Sequence, residues 1–246
     1  MSAVVGTRVV VADSAEEAGR RAADHVLEIL GAGRALLGVA TGSSPQPLYR
    51  AMTACVREGR SLHRLRAFAL DEYVGIPREH PESYHSIVAR DVTVPLGLDP
   101  TRVHVPDGQA ADPDAAAVAY EAAVAAVGGV EVQVLGIGGN GHIGFNEPGS
   151  SRASRTRVID LKQATRIANA RFFGSVHDVP TRAITQGVAT IMSAAHLVVV
   201  ADGPAKAEAV ARALRGPVGP EAPASFLQEH ADTVYFLDRA AARLLD

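Results

Sequence analysis

Cysteine is almost missing from this chain of 246 residues, where Cys55 stands alone. A single thiol excludes an internal disulfide framework and a cysteine-based zinc site. Tryptophan is absent, and lysine is reduced to Lys162 and Lys206 in an otherwise arginine-based set. With the abundant alanine, that bias points to a GC-rich genome, and against such a background Lys206 draws notice. No apolar run approaches the ~18–20 residues that span a bilayer. The start, MSAVVGTRVVVAD, lacks the charged n-region and cleavage site of a secretory leader. A cytoplasmic protein without membrane partners is therefore expected. A net charge of -3 argues against nucleic acid as the main partner. What is present is 47% apolar and 21% charged, the balance of a globular chain.

The apolar segments alternate with helical ones throughout. Arg8 to Ala12 reads as a strand, and Ser14-Ala-Glu-Glu17 as a capping box opening a helix that Gly31 stops. Ala35 to Ala40 is a strand, Thr41 to Ser44 a loop, and Pro45 to Glu58 a helix closed by Gly59. Leu65 to Leu70 is the third strand, His80 to Val92 a helix, Arg102 to Val105 a short strand. Asp112-Pro113 caps an alanine-rich helix ending at Gly128-Gly129. Strands follow at 130–135, 156–161, 196–201 and 233–237, with helices at 163–173, 204–215 and 239–245. Continuous apolar strands separated by helices of ten to fifteen residues predict an α/β fold: a single domain over 1–246, with a mainly parallel, Rossmann-like sheet covered on both faces.

Ligands of such sheets sit off the C-terminal strand ends, and the densest chemistry there is GIGGNGHIGFNEPGSS, Gly136 to Ser151. Glycine permits tight turns and close approach to a ligand, and His142 and Glu147 are natural proton carriers. Gly136-Ile-Gly138-Gly-Asn-Gly141 also matches G-x-G-x-x-G, with Asp160 about twenty residues on. A dinucleotide site needs a helix opening inside that motif. Here glycine, asparagine and proline follow instead, so no dinucleotide site is predicted.

Two other strand ends are suggestive. Thr41-Gly-Ser-Ser44 before Pro45-Gln-Pro47 reads either as an anion-binding turn or as an ordinary connection with Ser44 as N-cap. Asp71-Glu72 supplies either caps and loop ligands or a general base, and since neighbours on an extended chain point oppositely, at most one of the two faces a pocket. His80 and His85 lack a compact carboxylate or cysteine set, so no metal is expected. Arg152, Arg155, Arg157, Arg166 and Arg171 form either a solvated basic face or partners for an anionic substrate.

These pieces resemble the glucosamine-6-phosphate deaminase (isomerase) family over nearly the whole chain. The matching motifs are GVATGSSPQPLY, FALDEYVGI, PESYH, GIGGNGHIGFNEPGSS, SRTRVIDL, TRIANARFFG, VPTRAIT and the lysine of GPAKAEAV. The sibling 6-phosphogluconolactonases share the fold and a Gly-His loop, but their pattern does not continue as Gly-Phe-Asn-Glu-Pro. The resemblance implies conversion of glucosamine 6-phosphate and water to fructose 6-phosphate and ammonia, without a cofactor. It assigns ring opening to His142, oriented by Glu147 and Asn140, and the C2 proton to Asp71. It assigns the phosphate to Thr41, Gly42, Ser43, Arg171 and Lys206, and a lid to about 160–180. Asn140 is an aspartate in some members, which affects the pH profile more than the reaction. A 6-phosphogluconolactonase-type hydrolase and a non-catalytic sugar-phosphate sensor are the alternatives. The sensor reading needs an attached DNA-binding module, and none is expected before Arg8 or after Leu245. The short C-terminus leads to an expectation of hyperbolic kinetics, and a monomer or small homo-oligomer is expected.

Overall fold

The computed structural model describes residues 6–245. Strand β1 (Thr7–Ala12) leads into helix α1 (Ala15–Ala32). The Ser14 hydroxyl accepts the Glu17 amide at 3.2 Å, while the Glu17 carboxylate accepts the Asp13 amide at 3.0 Å, satisfying donors that a helix start leaves free. The helix does not stop at Gly31. Its buried face, Ala22, Val26 and Leu30, carries it one residue further. Next come β2 (Leu36–Val39), α2 (Gln46–Arg57), β3 (Arg66–Ala69), β4 (Asp71–Tyr73), α3 (Tyr84–Val88), β5 (Val103–His104), α4 (Pro113–Ala126) and β6 (Val132–Gly136). The chain continues with β7 (Arg157–Asp160), α5 (Gln163–Phe173), β8 (Arg182–Thr185), α6 (Val188–Ile191) and β9 (His196–Ala201). It closes with α7 (Ala207–Arg215), β10 (Thr233–Asp238) and α8 (Arg239–Ala242).

Seven strands form one parallel sheet in the order β1-β10-β9-β6-β2-β3-β5. Residues of both parities along β10, from Thr233 to Leu237, are buried, so both faces of the sheet are covered. From β2 the chain steps outward to β3 and β5, then returns to the other side of β2 as β6. The β2/β6 boundary is therefore the topological switch point, where the crevice beyond the strand ends is open to a ligand.

Three departures from the sequence reading bear on the site. Asp71 and Glu72 do not lie in a loop; with Tyr73 they form β4 of a separate antiparallel sheet, β4-β8-β7, one residue beyond β3. The segment read as a strand over 156–161 is β7 of that same small sheet. It has its own cluster of Tyr73, Ile76, Phe145, Leu161 and Ala183, edged by Tyr84, Ile159 and Phe173. The helix expected from His80 to Val92 begins only at Tyr84, because the residue before Pro81 is pushed out of helical conformation. Ser83 caps it, and it continues as a π-helical turn over Ala89–Thr93. At the other end of the chain, the 204–215 segment opens as a 3-10 turn before α7, and the last helix stops at Ala242.

Candidate active site

Three chain segments meet at the switch point. At the end of β2, Ala40 is pinned through both backbone groups to the Tyr49 hydroxyl, its N–H at 3.2 Å and its carbonyl at 2.9 Å. Thr41, Gly42, Ser43 and Ser44 follow into α2, whose N-cap is Pro45 with no side-chain cap, not Ser44. The hydroxyls and amides of this turn are thus not consumed in capping by Ser44.

At the end of β6 the loop folds tightly on itself: the Gly138 amide donates to the His142 carbonyl and the Gly141 amide to the Gly138 carbonyl, both at 2.9 Å. The imidazole of His142 lies against Gly138, where a Cβ would stand 2.1 Å from the ring. No other residue fits there without moving the histidine. Gly144, at φ +54°, brings the loop against the small sheet, with Asp71 Oδ2 and Thr185 Oγ1 a little over 3 Å from where its Cβ would be.

The hydrogen bonds around His142 define its tautomer. Asn140 Nδ2 donates to Glu147 Oε2 at 2.6 Å. Asn140 Oδ1 therefore faces the histidine, accepting its backbone N–H at 3.1 Å and standing 2.7 Å from Nδ1. A carboxamide oxygen only accepts, so Nδ1 carries the proton and Nε2 keeps its lone pair. Burial holds the His142 pKa below its ordinary value, with Lys206 adding to the effect and Glu147 opposing it. The ring is neutral at pH 7. The second Glu147 oxygen, Oε1, accepts from the hydroxyl of Thr165 on α5.

Asp71 and Glu72 point to opposite sides of β4 and have contrasting surroundings. The Glu72 carboxylate accepts three amides, from Tyr73 at 2.8 Å and from Tyr84 and His85 at 2.9 Å. Burial raises its pKa and those bonds pull it back. Asp71, 5% exposed, accepts no hydrogen bond from any described residue. Burial, reinforced by the neighbouring Glu72 charge, pushes its pKa up to about 8.

A cavity of about 610 Å³ joins these segments. Thr41, Gly42, Ser43, Asp71, Asn140, His142, Arg171 and Lys206 all line it, whereas Glu147 lies behind the wall and acts on it through Asn140. Lys206 Nζ donates to the Ile137 carbonyl at 2.7 Å, and burial lowers its pKa, the Arg171 charge adding to this and Asp202 opposing it. Arg171 projects from α5 with its guanidinium 4.6 Å from the Phe172 ring centroid. The other arginines of the basic stretch serve the framework: Arg152 pairs with Glu229, Arg155 with Glu121, Arg157 donates to Asn146 Oδ1, and Arg166 to the Val176 carbonyl. His80 stacks on Phe173, and His85 donates its amide to Glu72.

Among the cavity residues that escaped the sequence reading are Tyr73, Tyr84, Thr165 and Asn169. Tyr73 shares a face of β4 with Asp71, a two-residue spacing that would have flagged it had β4 been recognised as a strand. The hydroxyl of Tyr73 accepts from Asn169 Nδ2 at 2.9 Å.

The family model of glucosamine-6-phosphate isomerases/6-phosphogluconolactonase matches residues 9–236. A glucosamine-6-phosphate deaminase of Pseudarthrobacter chlorophenolicus is 50% identical over 238 residues, covering 96% of this chain and 92% of that protein. One from Streptomyces coelicolor is 50% identical over 240 residues, with the same coverage. Among solved structures, a monomeric glucosamine-6-phosphate deaminase superposes with a TM-score of 0.93 at 38% identity, covering 96% of this chain and 99% of that one. The 6-phosphogluconolactonase of Trypanosoma brucei shares the fold, with a TM-score of 0.81 at 19% identity over 98% of this chain and all of that one. The chain belongs to the family of glucosamine-6-phosphate isomerases and 6-phosphogluconolactonases.

Proposed function

We propose that the protein is a glucosamine-6-phosphate deaminase, converting glucosamine 6-phosphate and water to fructose 6-phosphate and ammonia. One observation carries the reading. Two proton stations of different kind, an unpaired carboxylate at Asp71 and a neutral imidazole at His142, face a single cavity that also holds Lys206. The C2 proton of an amino sugar is acidic only beside a C1 carbonyl, so the ring has to open before isomerisation. That order calls for two separate acid–base groups.

In this reading the phosphate is held by Thr41, Gly42, Ser43, Lys206 and Arg171. Lys206 spends one donor on Ile137 and has two left for the anion. Charge-assisted contacts of this kind hold the opened, flexible sugar in place for proton transfer. The free Nε2 of His142 takes the O1 proton and delivers it to O5, while Asn140 and Glu147 stabilise the imidazolium formed in between. Asp71 then removes the C2 proton. Its raised pKa makes it a stronger base, and the substrate's cationic amine beside it favours the ionised form. As the C2–H bond breaks, the substrate's ammonium passes a proton to O1, giving a neutral enolamine, and the same carboxyl returns the C2 proton to C1, leaving an iminium at C2. Water adds there and ammonia leaves, yielding the ketose. Each positioned acid or base contributes roughly 10²–10⁴-fold.

Helix α5, which buries none of its residues and supplies Thr165, Asn169, Arg171 and Phe172 to the cavity, acts as the lid within 160–180. With Arg171 on it, phosphate binding draws the lid inward. We take the protein to act as a monomer, like the monomeric relative, and to work in the cytoplasm, since its doubly charged substrate does not cross a bilayer unaided. The deciding experiment is ammonia release from glucosamine 6-phosphate and its 4-epimer, with 6-phosphogluconolactone hydrolysis measured alongside. Lactone hydrolysis without ammonia release would replace this reading with the lactonase one.

A further inference from the structure

Helix α5 touches the catalytic framework along one edge. Thr165, Asn169 and Phe173 recur every four residues, so they share a face of the helix. The Thr165 hydroxyl donates to Glu147 Oε1, Asn169 donates to the Tyr73 hydroxyl, and the Phe173 ring packs edge-on to Tyr73 with 5.5 Å between centroids. Two of these contacts reach the β4 strand that carries Asp71. The first reaches the hydrogen-bond chain behind His142.

That first contact has a consequence for the proton relay. Glu147 is 7% exposed, so water has little access to replace a lost partner. Its two oxygens are divided, Oε2 receiving Asn140 and Oε1 receiving Thr165. Held on both sides, the carboxylate has one orientation, and it can only accept. Asn140 is therefore obliged to turn its amide nitrogen toward Glu147 and its oxygen toward His142. Release of Oε1 frees the carboxylate to rotate. Asn140 then keeps only the His142 backbone N–H on its Oδ1 to hold its orientation, and a carboxamide that flips against this one contact donates to Nδ1 and moves the imidazole proton to Nε2, where it blocks proton acceptance.

We propose that Thr165 is a positioning residue, whose hydroxyl fixes Glu147 and through Asn140 the tautomer of His142, so that the proton relay is set only when α5 is seated. The proposal deepens the deaminase reading and rests on it for its catalytic meaning. It gives the lid a role besides covering the substrate, since the helix that brings Arg171 to the phosphate also aligns the ring-opening group.

The test compares Thr165→Val, which keeps the β-branched shape and removes the donor, with Thr165→Ser, which keeps the donor. The tautomer of His142 is read in the substrate-free protein by long-range 1H–15N NMR. The expected result is a single Nδ1–H form in the parent and the Ser variant, and a mixed population in the Val variant. For glucosamine 6-phosphate, loss of a hydrogen bond to a charged group predicts a roughly ten- to a hundredfold fall in kcat for Thr165→Val, with KM within about threefold and recovery in Thr165→Ser. An unchanged tautomer in the Val variant, a shifted tautomer with unchanged kcat, or equal damage in both variants overturns the proposal. If the parent protein releases no ammonia, the deaminase reading falls separately. The tautomer comparison needs no substrate and still decides whether Thr165 acts on His142.

Discussion

Replacing Asp71 by asparagine should abolish deamination and at the same time make the protein more stable, increasingly so as pH rises. The magnitude follows from the surroundings of the carboxyl. Asp71 is buried beside Glu72 without a hydrogen-bond donor among the described residues, and its pKa rises from the ordinary 3.8 to about 8. With the folded value above the unfolded one, the folded state holds the proton more tightly. The stability associated with this group is complete below about pH 4 and is lost as pH climbs to about 8. At ~1.4 kcal/mol per pH unit, the loss relative to a neutral side chain is about 4 kcal/mol at pH 7 and about 6 kcal/mol above pH 9. That is a large part of the 5–15 kcal/mol typical of a folded protein. Asparagine has nearly the same shape and cannot ionise, so it escapes the loss. Guanidinium unfolding of parent and variant at pH 5, 7 and 9 measures the difference, in which the titrations of all other groups largely cancel. The gap should widen from pH 5 to 7, widen less from 7 to 9, and favour the asparagine variant throughout. Ammonia release by the variant should fall by ~10²-fold or more. A gap independent of pH would show that Asp71 is not a buried, unpartnered carboxyl, and near-normal turnover would reject it as the base.

Other perturbations separate the remaining parts of the site. Lys206→Ala should raise KM by about ten- to a hundredfold, the worth of a charge-assisted contact, and unphosphorylated glucosamine should be a very poor substrate for the parent; equal turnover with and without phosphate would refute the anchoring scheme. In Asn140→Asp, a carboxylate beside His142 should raise its pKa against the lowering effects of burial and Lys206. The acidic limb of the pH–rate profile then moves upward, and a stationary limb would mean that another group titrates there. Glu72→Gln should lower stability by about 1–2 kcal/mol, because an amide nitrogen would face one of the three N–H groups from which the carboxylate now accepts. An unchanged denaturation midpoint would contradict that account.

The parallel sheet was readable because its strands are continuous apolar runs, such as His196–Ala201, and such runs between amphipathic helices admit few arrangements. The glycine-rich loop was readable for the opposite reason: it is dense in residues that the interior of a helix or strand disfavours. The small antiparallel sheet was not. Its strands β4 and β8 are Asp-Glu-Tyr and Arg-Ala-Ile-Thr, too short to express a period of two. Aspartate and glutamate are also poor strand formers, and they sit in one here only because Asp71 pairs with Thr185, more than a hundred residues away. Separation along the chain also hides the contacts of α5. Thr165, Asn169 and Phe173 show a regular spacing in the sequence, but Glu147 and Tyr73 as their partners follow only from the tertiary fold.

The pair Asp71-Glu72 shows how structure resolves an ambiguity that residue type leaves open. Two adjacent carboxylates leaving a buried strand are equally good candidates for capping and for catalysis. The chain separates them by the alternation of β4, which sends one into the cavity and the other toward α3. Glu72 then gathers three backbone amides and becomes the residue that fixes the start of α3. Asp71 gathers none, and its neighbour's charge further disfavours ionisation. A structural carboxylate is given donors, because an unsatisfied buried one destabilises the fold. A carboxylate left without them is retained for what it does when a ligand arrives. In the proposed mechanism a cationic amino sugar brings the positive charge that favours the ionised form of Asp71 and the C2 proton that this form removes, so the group that weakens the empty protein is the one the substrate completes.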